Sequence, residues 1–250
     1  MAHESAPSPC GVRVDGCAAR QVAYGGGVPG PTSPRALVLA GRARYGDPWH
    51  DHAATSHRVA RELTAGGFAA EVRSTFPDAL ADLTGDDLLV VNAGLGAPDD
   101  DDATWRPLHE AVRDHAVAGG PVLALHQAAM AFRDSPWWSE VIGGRWVDDR
   151  SWHPPQDLAT FDVHAGHPVT DGLGPLVVDD ERYTDLVVAP DVRALVTHDE
   201  GGTTHPVVWV APSWRAVYDG LGHGVESYAT PARAELLRRE ARWLVGLPPT

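Results

Sequence analysis

Gly119-Gly120-Pro121-Val122-Leu123-Ala124-Leu125-His126-Gln127-Ala128-Ala129-Met130 is the stretch that decides the fold of this chain. The paired glycines end whatever helix precedes them, and Pro121 opens an apolar run of only five residues. A run that short with no polar interruption is a strand covered on both faces, as in a parallel sheet. His126 follows it directly and begins the next helix. Strand passing into helix with no loop between them puts His126 at the carboxyl edge of the sheet, where open α/β sheets bind their ligands.

Upstream the same alternation repeats. Residues 36–40 (ALVLA) form the first buried strand, which ends in a loop holding Trp49, His50, Asp51 and His52. Val59, Ala60 and Leu63 recur at helical spacing over 55–65, with Ser56 as the cap and Gly66-Gly67 as the stop. Residues 68–72 and 87–92 give the second and third strands, and His50, Asn92 and His126 all fall at strand ends. Pro98 and the acids Asp99 to Asp102 open a helix over 103–117, where negative charge suits the helix dipole.

Downstream, 137–150 reads as a Gly- and Trp-rich loop, and strands are expected at 159–163, 176–178, 193–197, 206–210 and 216–218. A closing helix over 231–245 carries Leu236, Leu237, Ala241, Leu244 and Val245 on one side. Strand-helix alternation of this kind implies right-handed crossovers and a doubly wound α/β sheet with helices on both faces. One domain is expected over 35–250. Residues 1–34, rich in Gly, Pro, Ala and Ser, read as a disordered or loosely ordered tail, or as a translation start placed too early.

Composition narrows the function. Twenty Lys and Arg against 34 Asp and Glu give a net charge of −14 over 250 residues, which argues against nucleic acid and anionic membranes as partners. No apolar run has the length of a membrane span and no secretory leader is visible, so a cytoplasmic protein is expected. Cys10 and Cys17 match no zinc spacing and read as incidental thiols.

Four local patterns, taken in order, resemble the ThuA-like (trehalose utilisation) family. They are Trp49-His50-Asp51 after the first strand, the Gly-Gly-x-Val-Leu-Ala-Leu-His126 run, Gly143-Gly144-Arg145-Trp146 leading to His153-Pro154, and a late series. That series is Gly166-His167-Pro168, Asp180-Glu181-x-Tyr183 and Leu221-Gly222-His223. The likeness runs from about Ala36 to Leu247. It implies a flavodoxin-like sheet of the class I glutamine amidotransferase-like superfamily and a role in bacterial disaccharide or ketosugar metabolism. In amidotransferases the strand-to-helix elbow carries a nucleophilic cysteine. Here the elbow residue is His126, so glutamine hydrolysis through a thioester is excluded.

The residues that remain suit proton transfer. His126 at the elbow, His223 after the 216–222 run, and Glu181 form a His/His/Glu set able to act as base and acid near neutral pH. The family match is what lifts them above ordinary strand-end side chains. Trp49, His50, Asp51, His153 and Tyr183 are the candidate substrate contacts, with Tyr183 and Trp49 as walls for a sugar ring. His153, before Pro154, serves equally as a loop anchor, and His167 reads as structural. The same His and Glu set fits a divalent metal, and spacing alone does not decide between the two.

The leading expectation is an enzyme acting on a 3-keto-glycoside or related oxidised sugar, supplied by a partner dehydrogenase, by isomerisation or elimination. A non-catalytic sugar-binding protein and a metal-dependent hydrolase of an amide or ester are the alternatives. A homo-oligomer is compatible with either.

Overall fold

A computed structural model describes residues 33–96, 102–133 and 135–249. Nearly all of the expected tail, with Cys10 and Cys17, and the acids at 99–101 lie outside the described residues. The first half runs β1 (Arg35–Ala40), α1 (His52–Ala65), β2 (Ala69–Ser74), β3 (Leu88–Asn92), α2 (Asp102–Val117) and β4 (Val122–Leu125). After it come α3 (Pro136–Ile142), β5 (Gly144–Arg145), β6 (Asp157–Val163), β7 (Leu176–Asp180), β8 (Val187–Val188), β9 (Arg193–Glu200), β10 (Thr203–Val210), β11 (Ala216–Asp219) and α4 (Pro231–Leu244).

Among the described residues nine strands make one mixed sheet in the order β2-β1-β3-β4-β11-β10-β9-β6-β7, and β5 pairs with β8 apart from it. From β2 to β11 the neighbours are parallel. From β11 outward to β7 they are antiparallel. The parallel half is the doubly wound unit expected from the sequence.

β1, β3, β4 and β11 are buried on both faces, which is why they read as nearly unbroken apolar runs, whereas the edge strand β2 is partly exposed and carries Glu71 and Arg73. In β1, Ala36 and Val38 face a core built with Val59 and Leu63 of α1 and Leu236 and Leu237 of α4. Leu37 and Leu39 face the opposite core, with Leu108 and Val112 of α2 and Trp138 of α3. The two-residue alternation of a strand thus divides its side chains between two helical layers.

Three local expectations are corrected. α1 starts at His52, capped by Asp51, whose carboxylate accepts the Ala54 N–H at 3.0 Å. Ser56 is buried inside that helix and receives a hydrogen bond from Asn92 Nδ2 at 2.8 Å. His126–Met130 is a 3-10 turn and not the start of an α-helix. Trp137 and Trp138, expected in a loop, lie on α3, which Pro136 opens and Gly143 closes at φ +74°. Among the described residues no helix is long and apolar enough to cross a membrane.

Candidate active site at the carboxyl edge of the sheet

Register builds the centre. Leu125 at the end of β4 lies opposite Asp219 at the end of β11, so His126 emerges beside Gly220. His126 has φ +43°, in the left-handed region that costs a bulky residue about 1–3 kcal/mol unless its surroundings enforce it. They do so here. Its Nδ1–H donates to the Gly220 carbonyl at 2.8 Å, and the Tyr218 hydroxyl donates to the His126 carbonyl at 2.9 Å. The ring stacks on Tyr183 at 4.3 Å, and Trp138 Nε1 donates to the Ala128 carbonyl, bracing the turn that follows.

Asp180, the last residue of β7 and wholly buried, brings in the other two groups. Its Oδ1 accepts the backbone N–H of Glu181 at 2.9 Å and of His223 at 3.1 Å. Its Oδ2 accepts the Gly222 N–H at 2.7 Å and the Ser227 hydroxyl at 2.6 Å. One carboxylate therefore ties the end of β7 to the loop after β11. Gly222 holds φ +127°, and a β-carbon added there would run into the Tyr228 hydroxyl, so that loop has no room for a side chain. Burial raises the Asp180 pKa, while His126, Ser227 and the His223 N–H pull it down.

The result is a cluster of His50, His126, Glu181 and His223 in which one ligand-type atom from each lies within 4.8 Å of all the others. Glu181 Oε2 is 3.4 Å from His126 Nε2 and 3.3 Å from His223 Nδ1. Burial, the largest influence on Glu181, would raise its pKa, but the imidazoles of His126 and His223 together hold it well below the ordinary carboxylate range. Glu181 in turn raises the pKa of His223 against the effect of burial. His50 is driven the other way, down to about 4, by burial first and then by the nearby His126.

His50 has its own support. Its Nδ1–H donates to Asp47 at 2.8 Å, and Gln127, the residue after the elbow, also hydrogen-bonds Asp47. Gln127 Oε1 accepts from His52 Nε2 at 2.9 Å. Gly94 gives this amide its space, since a β-carbon there would overlap the Gln127 side chain. Asn92 binds Thr55 and Ser56 and so locks α1 onto β3.

The structure thus gathers His50, His126, Glu181 and His223 at one point. His153 lies at the rim, its half-exposed ring 3.6 Å from Glu181 Oε1. Tyr183 is buried between His126 and Trp146. Trp49, 75% exposed, lines a cavity of about 300 Å³ with Asp51, Thr55, His223 and Glu226. Asp51 borders that cavity while its carboxylate caps α1, and the carboxylate that meets His50 belongs to Asp47. Asp47, Gln127, His52 and Asp180 were not singled out from sequence as parts of the site. A usable signal was the adjacency of Gln127 to the elbow and of Asp180 to Glu181.

A parallel sheet whose central strand feeds an elbow residue, joined by groups from neighbouring strand ends, defines an open α/β fold with its site at the carboxyl edge of the sheet. The residue at that elbow is His126. The chain belongs to the ThuA family, described as Trehalose utilisation, which matches residues 35–244. That is a family of sugar metabolism. No curated protein matches the chain. Among solved structures it is similar to a ThuA-like protein of Parabacteroides merdae, with TM-score 0.65 and 19% identity, covering 87% of this chain and 92% of that one. A ThuA-like protein of Bacteroides uniformis gives TM-score 0.66 and 19% identity, covering 87% and 96%. A Thermoplasma acidophilum protein described as part of a GMP synthase gives TM-score 0.50 and 14% identity, covering 86% and 94%. At these identities the likeness concerns the fold.

Proposed function

We propose that this protein is an enzyme acting on an oxidised sugar, a 3-keto-glycoside or close relative, by isomerisation or elimination. The observation that carries it is the convergence of His126, Glu181 and His223 from the ends of three different strands, with the elbow histidine held at positive φ. A ketone at C3 acidifies the C2–H bond. In elimination that bond breaks, its electrons form the C1–C2 double bond, the C1–O bond breaks, and the leaving oxygen takes a proton. In isomerisation the proton returns along an enediol and the carbonyl moves to C2.

Both routes need the ketone oxygen polarised and a proton moved beside it, which imidazole and carboxylate groups in one buried cluster can supply. His50 completes the centre, His153 stands at its rim, and the cavity bordered by Trp49 receives the sugar. The substrate would come from a dehydrogenase that oxidises a glycoside. Family membership in trehalose utilisation supports the substrate class.

The test is turnover of a panel of 2-keto- and 3-keto-glycosides by the parent and by His126→Ala, with binding followed by calorimetry. Turnover by the parent that is lost in the variant while binding remains supports catalysis. Binding without turnover by the parent makes the protein a sugar-binding one.

A further inference from the structure

We infer that His50, His126, Glu181 and His223 form a binding site for one divalent first-row transition-metal ion, of which zinc, manganese, iron, cobalt and nickel are the chemical candidates. The inference deepens the sugar proposal at the same site and rests on it only for what the ion would do to a substrate.

Three independent observations carry it. The first is spacing. A tetrahedral ion bound at about 2.0–2.1 Å sets its ligand atoms about 3.4 Å apart. The two Glu181 to imidazole distances are 3.4 and 3.3 Å, and the whole set of four atoms fits within 4.8 Å. Those same distances are long for good hydrogen bonds.

The second is orphaned nitrogen. His50 Nε2, His126 Nε2 and His223 Nδ1 are all buried and make no hydrogen bond. His126 Nε2 and His223 Nδ1 have only the long contacts to Glu181 and His50 Nε2 has none, which is costly because a buried polar atom without a good hydrogen bond loses its hydration for little return. A metal ion is the partner that satisfies all three at once.

The third is outer support. Metal-binding imidazoles commonly donate their second N–H to a carboxylate or a backbone carbonyl, which fixes the tautomer and aims the free lone pair inward. His50 donates to Asp47 at 2.8 Å and His126 donates to the Gly220 carbonyl at 2.8 Å. Each is thereby left with Nε2 as the ligand atom. An ionised pair with Glu181 alone would explain His223 but not the inward lone pair of His50.

Three nitrogens and one carboxylate oxygen suit a borderline divalent ion, and the absence of any thiolate among them argues against a copper(I) site. A fifth position facing the cavity would let the ion polarise a ketone oxygen. His153 at the rim would then be the imidazole left free to move the proton.

The test uses the full chain, stripped with a chelator and then titrated with Zn²⁺, Mn²⁺, Fe²⁺, Co²⁺ and Ni²⁺ separately. Content is read by elemental analysis, and the Co²⁺ form by its visible spectrum. One equivalent per chain for at least one ion is expected, with Asp47→Asn weakening it about 10–100-fold and Glu181→Gln weakening it more. The exposed His57→Ala variant should bind as the parent does. Failure of every ion to bind the parent at about 100 μM, well above affinities usual for protein metal sites, would overturn the inference. Binding undiminished in Glu181→Gln would overturn it too. Ketosugar turnover by fully stripped protein would keep the sugar proposal and sink the metal. Stoichiometric metal with no ketosugar activity would keep the metal and turn the reaction toward hydrolysis.

Discussion

Asp180→Asn is the substitution that most sharply probes how the site is assembled. The Asp180 carboxylate accepts four hydrogen bonds, two at each oxygen, and all four partners are donors. An asparagine amide offers one oxygen and turns an NH₂ toward the other pair. The cheapest orientation keeps the oxygen on the Glu181 and His223 N–H groups and points the NH₂ at Gly222 and Ser227. The serine hydroxyl can rotate to accept, so one buried N–H, that of Gly222, is orphaned at about 1–3 kcal/mol. Loss of charge assistance in the remaining bonds adds about 1 kcal/mol. The sum, about 2–4 kcal/mol, corresponds to a fall in Tm of about 4–16 °C for a chain of this size. Melts followed by circular dichroism at pH 7.5 measure it. Because Glu181 and His223 both hang from this carboxylate, turnover and metal affinity should fall further than in Leu237→Ala. That variant opens a cavity in the α4 core at a comparable cost of about 2–5 kcal/mol and changes none of the site residues. A variant melting within about 1 °C of the parent, an error-sized shift on that scale, would refute the keystone role. So would one losing no more function than Leu237→Ala.

Two further expectations concern pH. Glu240 is fully buried beside Asp219, neither of its carboxylate oxygens has a hydrogen-bond partner, and burial raises its pKa far above the ordinary value. Folded chain then keeps a proton that unfolded chain loses above pH 4.5, so stability falls as pH rises from there. Glu240→Gln should melt above the parent at pH 7.5, the gap closing toward pH 4.5; a lower melt at pH 7.5 would mean an ionised Glu240 paired with Arg233. His115 and His198 are buried with pKa values lowered below 6.5 chiefly by desolvation. Unfolded chain takes up protons that the folded chain refuses, so stability drops as pH falls below about 6.5, by up to ~1.4 kcal/mol per pH unit for each imidazole. A Tm series from pH 7 to 5 should show this slope, and His115→Gln should flatten it.

What the sequence disclosed follows from how each element is buried. β1, β3 and β4 were legible because strands covered on two faces are continuous apolar runs, and α1 and α4 because one-sided burial imposes a helical period. α3 was missed: its seven residues span under two periods and begin Pro-Trp-Trp, which resembles a loop. β5 and β8, two residues each, carry no pattern at all. The same division holds at the site. His126, His223 and Glu181 stand at strand ends, which a reading of strands can locate. Asp47 and Gln127 meet across 80 residues of chain, and Asp180 reaches Ser227 across 47, contacts that exist only after folding. Asp180 was visible in the sequence only as the residue before Glu181.

The most direct trial of the sugar chemistry is proton exchange. A 3-keto-glycoside incubated with the metal-loaded protein in D₂O, followed by ¹H NMR, should lose its C2 proton signal faster than the spontaneous rate. Glu181→Gln should return exchange to that rate. A substrate panel on which the loaded parent exchanges no proton beside the ketone, and turns nothing over, would show that the His/His/Glu cluster serves some other reaction.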